Sequence, residues 1–422
     1  MQSYIHILFI KHKNQIKKGG YRIILKKIFN LLKQSYKIFF YLIATIFFLI
    51  QIILSPFIII RIGRLRNDKF GHITLEIELY LSEIENKINL PKKKFLDFFY
   101  KDSFISNSYF IKMRKRNIKI LPNFIFKELF QINLLFGKKF ICAPCCSDRD
   151  VLNLLDKSNS KIIFTNKENE IGKQFLKKIG LNEKPYVCLI VRDASYFGYK
   201  PFSDYRNANI NNFVKAIEYL NSNGIYVIRM GAKKCPKIKL QNEKFIDYAN
   251  SGLRNEFLDI FLGANCLFSM GTSTGFDGIP ISSRKPALIT NYVPIGYFPS
   301  WAPNQLVIFK HHKNSLTKKK ISLKEIINNG LALNLDGKEF EHKGIELLEN
   351  SQEEILDATI EMFERIKKKW DKKEQEEDLM NNFLNIYPIN INDRAGNRLH
   401  GKINSKIGYY FLKKNSYFLS KN

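Results

Sequence analysis

The sequence predicts an α/β chain in which two units of alternating strands and helices lie between an N-terminal hydrophobic membrane segment and a helical C-terminal tail. Three observations predict it. An uncharged run of 23 residues, 38–60, follows a lysine-rich start; short apolar runs then alternate with helical patterns; beyond about residue 335 the chain turns charged and helical. At 422 residues the chain exceeds one ordinary core, so two domains with extensions are expected. The boundaries read as 1–60 for the anchor, 61–175 and 176–335 for the two α/β domains, and 336–422 for the tail.

Residues 1–37 hold nine Lys or Arg and no Asp or Glu. Ile24, Ile28, Leu31 and Leu32 against Lys26, Lys27 and Lys33 read as a basic amphipathic helix of the interfacial type. The uncharged run that follows is long enough for a bilayer, which needs ~20 residues. A basic flank stays cytoplasmic, yet Arg61, Arg64 and Arg66 follow the run, and Gln51 and Pro56 interrupt it. The expectation is a monotopic or re-entrant anchor at the cell membrane, with the globular domains on the cytoplasmic side. A buried soluble helix is the alternative.

The net charge of +29 would attract nucleic acid, an anionic membrane or an anionic substrate. No helix-turn-helix, zinc-finger or RNP-like pattern supports a nucleic-acid partner. Cys142-Ala-Pro-Cys145-Cys146 has CxxC spacing but lacks the second ligand pair of a zinc site, so no metal is expected there.

Ile73, Ile77, Tyr80 and Leu81 fall at helical spacing, and Ile118–Leu121 and Lys139–Cys142 read as strands of the first unit. The second unit has a sharper pattern. Tyr186–Val191 is an apolar strand ending in Arg192-Asp193. A helix over Asn211–Ser222, capped by Gly224, precedes the strand Ile225–Ile228, which ends in Arg229-Met230-Gly231. A helix around Arg254–Leu262, the strand Cys266–Ser269 and the turn Gly271-Thr272-Ser273-Thr274-Gly275 complete the series. Strands alternating with helices imply a parallel sheet, whose ligands bind beyond the carboxyl ends of the strands.

Arg192 and Arg229 follow their strands directly, where a guanidinium fork would suit diphosphate; an ion pair within a loop is the competing role. The turn Gly271–Gly275 brings backbone N–H groups and a helix start together and lacks a Walker-A lysine. Arg254 and Asp259 are candidates to shape the same pocket. As acid–base groups, His72 and Asp193 stand out. Asp148-Arg-Asp150 is read either as a metal-binding pair or, through Ser147 or Asp148, as a helix cap. Ser351-Gln-Glu-Glu354 is a capping box, with a structural role.

The series Val187-Cys-Leu-Ile-Val-Arg-Asp193, Tyr205-Arg-Asn-Ala-Asn209, Val227-Ile-Arg-Met-Gly231, Asp247-Tyr-Ala249, Asp259-Ile-Phe-Leu262 and Gly271–Gly275 resembles a family of glycosyltransferases from bacterial surface-polysaccharide loci. Gly71-His72 and Glu78-Leu-Tyr-Leu81 resemble that family's first-domain start. The likeness spans roughly residues 60–370. It implies two Rossmann-like domains (GT-B-like) and sugar transfer from a nucleotide-sugar donor, which is a substrate, so that no cofactor is expected. The acceptor would be lipid-linked or polysaccharide. A more distant likeness to fucosyltransferases would make Arg192 the donor-diphosphate residue; where a histidine is expected two positions earlier, this chain has Ile190. The alternative, from a different class, is a non-catalytic sugar-binding or scaffold subunit of a membrane-bound polysaccharide assembly complex.

Overall fold

The computed structural model describes residues 38–195, 201–232, 235–302 and 304–420, with the single positions Tyr21, Leu25 and Phe29. The basic stretch 1–37 and its amphipathic pattern otherwise lie outside the described residues. The described residues form two compact units: those up to 65, with 91–103 and 117–142, make the first, and those of 66–90, of 104–116 and from 143 onward the second.

The first unit holds a parallel three-stranded sheet of β1 (Ile59–Leu65), β2 (Phe95–Lys101) and β3 (Lys119–Leu121), in that order. Their apolar runs pair in register, Ile62 with Phe98 and Phe99 with Ile120. Residues 38–54 are helical and pack on the helix Asn123–Leu135 through Phe40 with Phe124 and Phe47 with Phe126. The uncharged run 38–60 is therefore not one element: its helix stops before Ser55, and Ile59 and Ile60 enter β1. The described part of this helix, 38–54, covers about 26 Å. Among the described residues no helix is long and apolar enough to cross a membrane. The expected strand Lys139–Cys142 also differs. Gly137 at φ +97° opens a tight turn over Lys138–Phe140, leaving one bridge, Ile62 to Ile141.

The second unit is built on a seven-stranded parallel sheet. It contains β4 (Tyr186–Ile190), β5 (Tyr226–Arg229), β6 (Phe245–Ile246), β7 (Phe268–Gly271), β8 (Ala287–Tyr292) and β9 (Gln305–Phe309). An antiparallel pair, β10 (His311–Asn314) and β11 (Ile345–Leu348), stands apart, and β12 (Lys406–Ile407) closes the large sheet. The spatial order is β12-β9-β8-β7-β4-β5-β6. The chain starts at β4, builds outward to β6, then returns to the other side of β4 with β7. This is the doubly wound order, with its reversal between β4 and β7.

The tail packs back onto this unit, as β12 pairing with β9 and as the helix Tyr409–Lys414. Its His400 is fully buried. Nδ1 meets Ser300 Oγ at 2.8 Å, and Nε2 lies 2.9 Å from the Tyr387 hydroxyl and 3.0 Å from Gly296 O. Ser351 and Glu354 form the expected capping box at the start of the helix Gln352–Ile366.

The helix Phe70–Glu85 belongs to this unit and is buried on nearly every side, including Glu76, Glu78 and Glu83. Glu78, fully buried, is held 3.0 Å from both Arg114 and Arg284 and accepts the Lys161 N–H at 2.8 Å. Replacing Glu78 by Ala would leave the buried Arg114 guanidinium without its carboxylate, a loss of about 3–5 kcal/mol. Denaturant melts should show it, whereas Glu85→Ala, in an exposed ion pair, should cost under about 1 kcal/mol.

A pH dependence follows from His400. Burial pushes its pKa from 6.5 down to about 3, so the folded state keeps it neutral. A histidine lowered on folding contributes stability that is complete above pH 6.5 and is lost as pH falls toward 3. The expected slope is about 1.4 kcal/mol per pH unit. Melts between pH 7 and 4 should show His400→Gln with a shallower acid decline than the wild type.

Candidate functional site

Ligands of doubly wound sheets bind beyond the carboxyl ends of the strands where the order reverses, here between β4 and β7. Ile190 and Gly271 pair across this reversal. A Cβ at Gly271 would stand 2.1 Å from Ile190 O, so only glycine lets the two strand ends come this close. Beyond the strands the loops are stitched together: Arg192 N donates to Thr272 Oγ1 at 2.8 Å, and Thr272 N to Ile190 O at 3.2 Å.

The turn is itself built to expose backbone. Ser273 takes φ +56°; Thr274 Oγ1 accepts the Phe276 N–H, and Asp277 accepts the Thr274 N–H at 2.6 Å. Burial raises the Asp277 pKa to about 6 against the lowering effect of those Thr274 bonds.

Two arginines are tied to this turn. Arg206 Nη2 donates to Ser273 O at 3.0 Å. The Arg192 pKa is pushed down by burial first and by the positive charge of Arg206 second. Like charges near one another favour an anion that relieves their repulsion, although the nearby Asp204 carboxylate already offsets part of it at Arg192. Arg206 follows no strand, so its role was invisible to strand-end reasoning. Its only sequence signal was its place in the motif Tyr205–Asn209.

His72 arrives at the same turn through a glycine contact. A Cβ on Gly71 would lie 3.0 Å from Gly275 Cα, and one on Gly278 would lie 2.0 Å from Thr74 Oγ1. Small residues thus let the helix Phe70–Glu85 seat its first turns on 275–282. The Ile73 N–H bonds back to Lys69 O, while the N–H groups of the residues before it belong to the unsatisfied helix start, with its positive partial charge.

The His72 ring has a charged neighbour at each nitrogen. Nδ1 lies 2.8 Å from Asp148 Oδ2, and Nε2 lies 3.0 Å from Arg66 Nη2. Since the guanidinium can only donate, Nε2 is an acceptor and Nδ1 carries the proton, beside the Asp148 carboxylate. Arg66 is anchored in turn by Glu76 at 2.9 Å and Ser147 at 3.0 Å. Burial raises the Asp148 pKa, but the adjacent His72 ring N–H and the positive charges of Arg149 and Arg66 outweigh it and leave the carboxyl below its ordinary value. Asp148 and Asp150 do not act as a pair: Asp150 accepts the Leu154 and Leu155 N–H groups at 2.7 and 2.8 Å. Among the described residues no cluster of His, Cys, Asp and Glu suits a metal ion.

The remaining candidates are engaged elsewhere. Arg229 is buried, donating to Pro236 O at 2.6 Å with Asp247 at 3.4 Å. Gly231 lies two residues past β5. Arg254 and Asp259 pair at 2.6 Å around the start of the helix Glu256–Asn265; burial lifts Asp259 to about 6 although Arg254 opposes it. Asp193 accepts the Ser195 N–H at 2.7 Å, a local turn bond.

No family model and no curated protein matches the sequence. Among solved structures, a glycosyl transferase of family 9 from Veillonella parvula is 12% identical, with 59% of this chain and 85% of that one covered and a TM-score of 0.37. The ADP-heptose LPS heptosyltransferase II of E. coli is 10% identical, covering 59% and 90%, with a TM-score of 0.35. A Methanocaldococcus jannaschii UDP-GlcNAc 2-epimerase with UDP-GlcNAc and UDP is 11% identical, covering 59% and 88%, at 0.26. These likenesses are too distant to assign the chain to a family, and the expected fucosyltransferase kinship finds no support among them.

An anion held by Arg192 and Arg206 should stabilise the fold by mass action. Inorganic pyrophosphate at about a hundred times its Kd should add roughly 2.7 kcal/mol to the wild type. Arg192→Ala and Arg206→Ala should each abolish most of that gain in a thermal melt, and Arg254→Ala should retain it.

Proposed function

We propose that the protein is a glycosyltransferase that moves a sugar from a nucleoside-diphosphate donor to the hydroxyl of a lipid-linked or polysaccharide acceptor at the cytoplasmic face of the membrane. The observation that carries this reading is the meeting of three features at the β4–β7 reversal: the guanidinium groups of Arg192 and Arg206, the glycine and hydroxyl turn 271–275, and the helix start bearing His72 with Asp148 behind it. The diphosphate lies along the turn. As the bond from the anomeric carbon to the diphosphate oxygen breaks, the negative charge left there is met by the two arginines and the backbone N–H groups. The acceptor oxygen forms the new bond to that carbon and gives its proton to His72 Nε2. Asp148 holds the tautomer that leaves Nε2 able to accept it. Arg66 occupies this position in the unliganded protein, and the acceptor hydroxyl takes its place. The donor-site roles given by sequence to Arg229, Gly231, Arg254 and Asp259 and the acid–base role given to Asp193 are not part of this proposal: Arg229, Arg254, Asp259 and Asp193 are bonded within their own loops, and Gly231 follows β5, away from the reversal.

The Arg66 contact with Nε2 also favours a second reading, a sugar-nucleotide-binding subunit without turnover. The two separate cleanly. Melts of the detergent-solubilised protein with ADP, UDP, GDP, CMP and dTDP should show stabilisation by one of them, lost in Arg192→Ala. His72→Ala and Asp148→Asn should keep that stabilisation but turn over the matching nucleotide sugar about 10²–10⁴-fold more slowly. Binding without turnover in the wild type would leave the non-catalytic subunit; no binding by any nucleotide would end both readings.

A further inference from the structure

The first unit carries a surface that its own sheet does not use. The helix over 38–54 turns Ala44, Phe48 and Gln51 inward, with Phe40, Ile43 and Leu54 half-buried. The rest of its circumference is apolar and open: Leu42 is 63% exposed, Ile46 58% and Ile53 70%. Phe57, just past the helix, is 79% exposed. The helix Asn123–Leu135 ends beside this surface in Leu134-Leu135-Phe136, with Leu135 80% exposed. Soluble proteins seldom leave such a contiguous apolar face to water.

The polar groups of this helix are disposed as a hydrocarbon environment requires. The Thr45 hydroxyl bonds back to Tyr41 O at 2.8 Å. Gln51 faces inward, donating to Ile60 O at 2.9 Å and accepting from Asn133 at 3.2 Å. No residue from 38 to 60 is charged. The rim carries positive charge: Lys92, Lys93, Lys94, Lys138 and Lys139 are all exposed. Lys93 Nζ reaches Pro56 O at 3.0 Å and Lys139 Nζ reaches Ser55 Oγ at 3.3 Å, which places these lysines at the end of the apolar helix.

We propose that this face is an in-plane docking surface for an anionic phospholipid bilayer, with the helix 38–54 and Leu134–Phe136 sunk among the acyl chains and the lysine rim on the headgroup phosphates. The helix lies along the membrane without spanning it. The exposed Tyr21, Leu25 and Phe29, spaced four apart, extend the same apolar character into the basic N-terminal stretch. The lysines fit negative headgroups, and the uncharged outer face fits lipid in preference to a protein partner. This inference stands independently of the transferase reading.

Flotation of the full-length protein with vesicles tests it. The wild type should float with vesicles containing about 30% phosphatidylglycerol and more weakly with pure phosphatidylcholine. Leu135→Asp with Phe136→Asp should lower the bound fraction about tenfold on both. Lys92→Glu with Lys94→Glu and Lys138→Glu should lower it at least about tenfold on the anionic vesicles only, an effect that about 0.5 M salt erases. Leu135→Trp should gain fluorescence that lipids brominated in their acyl chains quench. Unchanged flotation of the aspartate variant, or an unquenched tryptophan, would overturn the proposal. So would a wild-type dimer that the aspartate variant converts to monomer with no loss of vesicle binding, because a second copy would then cover the face. Nucleotide-dependent stabilisation should persist in the aspartate variant, which separates failure here from failure of the transferase reading.

Discussion

Glu78 holds the second unit together around an unusual centre. A carboxylate with no exposure to water is costly unless it is fully paired, and this one is met by Arg114, Arg284 and the Lys161 N–H. Those three partners come from three separate segments of the chain. The helix Phe70–Glu85 is thereby fixed in rotation and depth, and its first turns reach Gly275. Were the helix to slide by one residue, Gly71 would no longer face Gly275 and Thr74 would no longer face Gly278, whose missing Cβ atoms make the approach possible. His72 owes its position to an ion cluster two helical turns away.

The β4–β7 reversal follows the same division between scaffold and chemistry. The sheet order forces the β4 and β7 loops apart in direction while Gly271 brings their strand ends within contact. Thr272 then ties Arg192 to the turn, and Ser273 O receives Arg206. Arg206 is held through its guanidinium by Ser273 O and Arg192 through its backbone N–H by Thr272 Oγ1, so both residues are tied to the turn by folding.

Much of the second unit was legible because its strands are continuous apolar runs ending in polar residues, and helical periods separate them. Its strand order was not, since nothing in a strand's own residues says which neighbour it takes. Arg192 and Arg229 show the consequence. Both follow an apolar strand, and position at a strand end does not tell them apart. Only Arg192 stands at the reversal, while the loop from Pro236 to Asp247 folds over Arg229 and uses it. His72 and Asp148 were each noticed, but their pairing joins residues far apart in the chain and needed the fold. The run 38–60 reads in the sequence as one element because hydropathy counts residues without regard to the turn at Ser55–Phe57, where helix gives way to strand.

The most direct test of the account is an experimental structure of the protein with the nucleoside diphosphate that stabilises it most. The account places the diphosphate oxygens within hydrogen-bonding distance of both Arg192 and Arg206, with the 271–275 turn beneath them and His72 Nε2 open toward the sugar side. A nucleotide seated instead against Arg229 or the Arg254–Asp259 pair, leaving the β4–β7 reversal empty, would contradict it.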